Sequence, residues 1–164
     1  MEHDQAHGGM SRETMRGHYR MLALNLALSL VVMYLAMFAM IWGLGEFVQN
    51  LNFFYMALVM WAPMAVIMLL TMKSMLMDAR LNAILYAAFA LIFVLSFAAI
   101  RAQTFVGDRA FVKSMIPHHS GALTMCNRAS LQDAELRELC FGPEGIVRSQ
   151  TREIEQMNAI LKRL

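Results

Sequence analysis

Charge is what this chain has least of. Asp, Glu, Lys and Arg make up 16% of its 164 residues, where a soluble domain carries about a quarter. The deficit points to lipid rather than water around much of the chain. The charges also nearly cancel, to +2, so nothing in the balance favours nucleic acid. Neither a glycine-rich phosphate cradle nor a basic surface interleaved with aromatics occurs. Cysteine is limited to Cys126 and Cys140, too few for a disulfide-scaffold protein. The combinations used in catalysis are missing too. There is no serine–histidine–acid arrangement, the cysteines lack the CxxC redox spacing, and the inward carboxylates and Glu-x-x-His pairs of a di-iron bundle are absent. The chain reads as a non-enzyme.

What it has in abundance is apolar surface: 59% hydrophobic residues and a mean hydropathy of +0.48. Three runs account for it. Residues 21–44 are uncharged and longer than the roughly 20 that span a bilayer. A secretory signal would have an apolar core of about 7–15 residues, a cleavage site and a polar mature chain. Further apolar runs follow here instead, so this one reads as a retained span. Residues 53–72 form a second, with Pro63 inside it, tolerable where neighbours satisfy the freed carbonyl. Residues 81–100 form the third. No soluble segment separates them, so one bundle is expected, with no internal repeat, low-complexity tract or convincing strand.

Basic residues in short loops orient such a bundle. The polar tail, residues 1–20, carries Arg12, Arg16 and Arg20, and the second loop carries Lys73 and Arg80. The first loop, residues 45–52, has Glu46 and no basic residue. That pattern places tail and second loop in the cytoplasm and the first loop outside. Three crossings deliver residues 101–164 to the periplasmic or extracytoplasmic side of a bacterial inner membrane, although Arg101, Arg109 and Lys113 oppose the trend. The expected fold is all-α: three transmembrane helices (residues 21–100), then a short extracytoplasmic helical bundle segment.

Residues 101–164 are of different composition, with nine basic and seven acidic side chains. A helix is expected over 101–131, interrupted near Pro117. A short one follows over Ala134–Phe141, capped by Asp133, and the last spans 145–164, after the Gly142-Pro143 breaker. At about 100° per residue, Phe111, Met115, His118, His119, Ala122, Met125, Cys126 and Ala129 share one arc of the first of these helices. Pro117 frees the Lys113 carbonyl and should kink the chain beside the histidine pair. Ile146, Gln150, Glu153, Met157, Ile160 and Leu164 share a face of the last helix, with Gln150 and Glu153 polar on an otherwise apolar seam. Met115 or Met157 alone reads as core packing, and one histidine on an apolar face as a hydrogen-bonded core residue. Two adjacent histidines flanked by two methionines and a cysteine read equally as a metal-binding group.

Residues 111–122, Phe-Val-Lys-Ser-Met-Ile-Pro-His-His-Ser-Gly-Ala, with Met125 and Cys126 following, resemble the signature of the domain-of-unknown-function 305 family. Ser149-Gln150, Glu153-Ile154 and Met157 are similar to its second half. The resemblance covers about residues 104–164; the run from Cys140 to Gly145 departs from the family's more regular helix. It implies a ferritin-like helical bundle linked to copper binding or resistance in bacteria. Carried over by position, the ligand candidates are Met115, His118, His119, Met125 and Met157. The chemistry of the residues agrees. Thioether and thiolate favour Cu(I), while imidazole accepts either copper state or zinc. Cys126 joins the set as a thiolate, and Glu153, with Gln150, suits the orientation of a histidine better than binding Cu(I) itself. Cys126 and Cys140 otherwise form a disulfide, which an extracytoplasmic location permits, worth about 3 kcal/mol.

Methionine is the compositional outlier, at 17 residues. Met33, Met37 and Met40 form a stripe on the first span. Met56, Met60, Met64, Met68 and Met72 stand four apart on the second, similar to the Met-xxx-Met of trimeric three-span copper transporters. A four-residue step drifts about 40° each time, so five methionines wind through roughly 160°, as an ordinary packing ridge does. His3, Asp4, His7 and Met10 form either an amino-terminal metal site or part of a short polar tail. Three functional readings follow: a membrane-anchored Cu(I)-binding protein for buffering, handover or resistance, a three-span copper transporter, or a structural subunit of a larger membrane complex. Copper ion and lipid bilayer are the expected partners, with a second copy or other copper-handling proteins beside them and no nucleic acid.

Overall fold

A computed structural model describes residues 12–164 of the chain; His3, Asp4, His7 and Met10 lie outside the described residues. Among those described, six α-helices occur and no strand. They are α1 (Arg12–Ala36), α2 (Leu51–Thr71), α3 (Ala79–Ala102), α4 (Asp108–Arg128), α5 (Ala134–Phe141) and α6 (Ile146–Arg163), with a 3-10 turn at Leu44–Glu46. The segments Glu13–Ala36, Leu51–Thr71 and Ala79–Ala102 are long and apolar enough to cross a membrane. At about 1.5 Å per residue they reach roughly 32–36 Å, against about 30 Å of hydrocarbon.

The middle helix of the three is α2, with α1 and α3 packed on it. Its contact face is made small: Ala57, Ala62 and Ala65 are fully buried, with Leu69 beside them. Small side chains let neighbouring backbones approach closely, which drives association where lipid offers no hydrophobic gain. Leu22 and Leu26 of α1, Leu76 of the α2–α3 loop and Phe89 of α3 complete the cluster. Trp61 Nε1 donates to the Leu26 carbonyl at 2.8 Å. Leu24, Leu28, Ile67, Leu91 and Leu95 stay exposed, as side chains facing lipid should.

Hydropathy misplaced both ends of the first helix. It begins inside the polar tail, because its early polar residues find partners on the α2–α3 loop and the start of α3. Tyr19 Oη donates to Asn82 Oδ1 at 2.8 Å, and His18 Nδ1 lies 3.1 Å from the Met75 carbonyl. It ends at Ala36 although the sequence stays apolar, because Phe38 is buried in a turn, 4.2 Å from Phe47 and 5.0 Å from Phe53 between ring centres. Apolar residues here build a turn rather than a longer span. Side-chain caps mark three of the other starts: Asn50 for α2, Asp78 for α3 and Asp133 for α5, each relieving an orphan helix N–H.

Beyond the third helix the chain turns at Gln103 and Phe105, both with positive φ (49° and 60°). The helix expected from residue 101 therefore starts at Asp108, and it continues through Pro117 to Arg128 without the expected interruption. Contacts on both sides hold it. Val112, Ile116 and Leu123 of α4 pack with Ile154 of α6, and Val48 of the first loop joins them. Ser120, fully buried, accepts from the Trp42 amide and donates to Glu46 Oε2, both at 2.6 Å. The same carboxylate oxygen accepts from the Gly43 amide at 2.8 Å, and the Arg128 guanidinium lies 5.5 Å from the Trp42 ring centre, a cation–π contact. The first loop and the α4–α6 unit thus meet at one end of the three-helix layer, as an odd number of passes requires.

Candidate metal centre

The buried side of α4 is not the arc that periodicity proposed. It runs through Val112, Ile116, Ser120 and Leu123. Of the expected arc, Met115, His119 and Cys126 lie beside this seam, whereas Phe111, His118, Met125 and Ala129 are exposed. Ser114 and Ser120 explain the rotation. Both are polar yet buried, because a serine hydroxyl bonded to loop or backbone oxygens can be enclosed at little cost. On α6 the buried centre is Ile154, with Val147 and Leu161 packed alongside. Gln150, Glu153 and Met157 are half-buried at its edge, and Leu164 is exposed.

One polar pair crosses the seam. His119 Nδ1 lies 2.9 Å from Glu153 Oε2, with the side chains 17% and 46% exposed. That nitrogen is buried and has no well-directed hydrogen bond, so the approach to the carboxylate is close but bent. A small ring rotation would turn it into an Nδ1–H donation, fixing the tautomer and leaving Nε2 with its lone pair. The contact also sets the register of the antiparallel pair. Met115 is one turn before His119 and Met157 one turn after Glu153, so the two methionines fall at the next level along the seam. Both are half-buried.

Cys126 is not available as a thiolate. Its sulfur is bonded to that of Cys140, with the Cα atoms 5.6 Å apart, inside the usual range for a disulfide. The bridge staples α5 to the end of α4. Among the described residues no three His, Cys, Asp or Glu side chains gather to hold a metal.

The methionines of the spans separate as well. Met56 and Met60 are exposed, while Met64, Met68 and Met72 turn inward against the α1–α2–α3 cluster, as a winding row should. Met33 is on α1, but Met37 and Met40 lie past its end, so the expected three-residue stripe does not share one helix. Periodicity missed Trp42, Glu46 and Ser120 altogether. The available signal was Glu46 itself, the single charge in an apolar loop, three residues after a glycine whose amide it accepts.

These features define a class: a chain whose described residues are helical, with three membrane-length apolar helices and, at one end of them, a unit of α4, α5 and α6 in which a disulfide ties α5 to α4. The sequence profile described as Domain of unknown function (DUF305) matches residues 70–161, and the chain belongs to that family. The matched region is wider than residues 104–164, taking in all of α3. The chain is similar to the Uncharacterized protein L153 of Acanthamoeba polyphaga mimivirus, 36% identical over 123 residues that cover 73% of this chain and 76% of the relative. No solved structure matches it.

Proposed function

We propose that this is a membrane-anchored Cu(I)-binding protein that buffers copper or hands it on, with His119, Met115 and Met157 as ligands. The observation that carries the reading is the buried His119 Nδ1 facing Glu153, level by level with two half-buried thioethers. Glu153 orients the imidazole and Nε2 takes the metal. One imidazole and two thioethers make a soft, uncharged donor set, which selects Cu(I) over Cu(II) and zinc. The three apolar helices act as the anchor, with the methionines of α2 serving mainly in packing. The basic tail and second loop argue for an extracytoplasmic α4–α6 unit. The Cys126–Cys140 bridge supports an oxidising compartment, where methionine keeps its ligand capacity and thiols do not. In this reading α4 and α6 are half of a ferritin-like bundle that a second copy completes, and the protein is not an enzyme.

The test is Cu(I) titration of the full chain in lipid nanodiscs, anaerobic and against a competing chelator, with ascorbate as reductant so that the disulfide survives. His119→Ala should abolish binding of one ion, and Glu153→Gln should weaken it about 10–100-fold. If His119→Ala combined with Met157→Leu leaves affinity and stoichiometry unchanged, the assignment is wrong.

A further inference from the structure

A cavity of about 430 Å³ opens between α2 and α3, at the end from which the chain leaves for α4. Tyr55 of α2, Ala98, Ala99 and Ala102 of α3, and Phe105 of the following turn line it, and Ser96 belongs to the same lining. Ser96 is 6% exposed, and its hydroxyl has no hydrogen-bond partner among the described residues. A serine within a helix commonly bonds to the carbonyl one turn back, as Ser114 does to Ala110 at 2.9 Å. Ser96 instead keeps a free donor and acceptor at the cavity wall. An enclosed hydroxyl left unpaired is costly, so the cavity suits a ligand that carries a polar group into an apolar slot. The slot is held in shape from above. Tyr55 Oη donates to the Thr104 carbonyl at 3.0 Å, and the Asn52 and Gln103 side-chain amides exchange bonds at 3.1 and 3.3 Å. Phe105, at φ 60°, lines the cavity while 87% exposed, so its ring stands at the rim rather than folded onto the protein.

We infer that this cavity is a site for one anionic phospholipid. Ala98 and Ala102 stand one turn apart and are exposed on a membrane-length helix, leaving a groove in which an acyl chain lies between the Tyr55 and Phe105 rings. Ser96 comes six residues before the end of α3, about 9 Å along the axis. Its hydroxyl therefore faces the ester carbonyls of the glycerol, below the level of the phosphate. The charges above the groove suit that phosphate. Between residues 101 and 113, Arg101, Arg109 and Lys113 stand against one carboxylate, Asp108. None of the three cations is in an ion pair among the described residues, and Arg101 and Arg109 are exposed. Arg101 directly precedes Ala102 of the wall, and Arg109 follows Phe105 by four residues. These are the cations that oppose the loop-charge trend of the spans. A headgroup at this rim accounts for them, because basic side chains at the end of a span attract anionic lipid. A groove of small residues also suits a helix of a second copy, but two-fold symmetry would bring like charges together there. The inference stands apart from the copper reading.

The experiment is native mass spectrometry of the full chain in mild detergent, titrated with dioleoyl phosphatidylglycerol or dioleoyl phosphatidylcholine. It reads bound lipid and oligomeric state together. Ala98→Phe fills the groove from an exposed position, and circular dichroism checks that each variant keeps its helices. The unaltered chain should retain one phosphatidylglycerol at concentrations where phosphatidylcholine is not held, and Ala98→Phe should lose it. Ser96→Ala should weaken retention about 2–10-fold, the worth of one neutral hydrogen bond. Arg101→Gln combined with Arg109→Gln should bring the two lipids level. Equal retention of the two lipids by the unaltered chain, or unchanged phosphatidylglycerol retention in Ala98→Phe or in Ser96→Ala, overturns the inference. So does a dimer that Ala98→Phe dissolves with no change in bound lipid, since the groove is then a contact between copies. None of these outcomes bears on Cu(I) binding.

Discussion

Replacing Ser120 with alanine should release the first loop from α4. The hydroxyl is fully buried and makes two bonds at 2.6 Å, accepting from the Trp42 amide and donating to Glu46 Oε2. Ser120→Ala deletes both and leaves the Trp42 N–H without its acceptor. A hydrogen bond to a charged group contributes about 1.5–3 kcal/mol, and an orphaned buried donor costs about 1–3 kcal/mol. Glu46 keeps the Gly43 amide and is half-buried, so water recovers part of the loss and a net effect of about 2 kcal/mol is expected. At about 1.4 kcal/mol per factor of ten, local opening becomes roughly 30-fold more frequent. Hydrogen exchange of the Trp42 amide in nanodiscs reads this directly. Protection there should fall by about that factor, while α2 amides near Ala62 and Ala65 keep theirs. Glu46→Gln, which keeps an acceptor and loses the charge, should give a smaller drop. Unchanged exchange at Trp42 in Ser120→Ala would refute the loop clamp.

Other substitutions probe the frame around the site. Cys140→Ser opens a bridge between residues 14 apart in sequence. The α4–α6 unit should lose about 3 kcal/mol, seen as a lower urea midpoint and faster proteolysis near α5; an unshifted midpoint would mean the staple is redundant. Gly145→Ala should be damaging, because a Cβ there would stand 2.8 Å from the Gly142 nitrogen and 2.9 Å from the Cys140 carbonyl carbon and oxygen. Backbone atoms cannot step aside, so a loss of about 1–3 kcal/mol is expected in thermal unfolding. Gly17→Ala, inside α1 with nothing within 4 Å, should do the opposite, stabilising by up to about 1 kcal/mol through helix propensity.

What could be read from the sequence divides by physical cause. Three membrane-length helices were legible because a bilayer demands a long uncharged run, and composition reports that directly. Their ends were not. Apolar residues around Phe38 build a turn, while polar ones around Tyr19 and His18 stay helical through contacts some sixty residues away. The Asp133 cap and the Gly142-Pro143 break were legible because each acts on its own neighbours. Of the candidate site, the shared helix was legible: α4 carries Met115, His118, His119, Met125 and Cys126. Periodicity could not split them between two flanks, since the split is decided by buried serines and by a loop from before α2. The disulfide consumed one candidate ligand, and Glu153 was found beside His119 because both stood out as polar groups near apolar seams.

X-ray absorption at the copper edge of the Cu(I)-loaded full chain tests the central claim most directly. A Cu(I) edge with sulfur and imidazole nitrogen as nearest scatterers is the predicted result, the nitrogen signal falling in His119→Ala. Copper held by nitrogen and oxygen alone, or no copper retained through gel filtration, would contradict it.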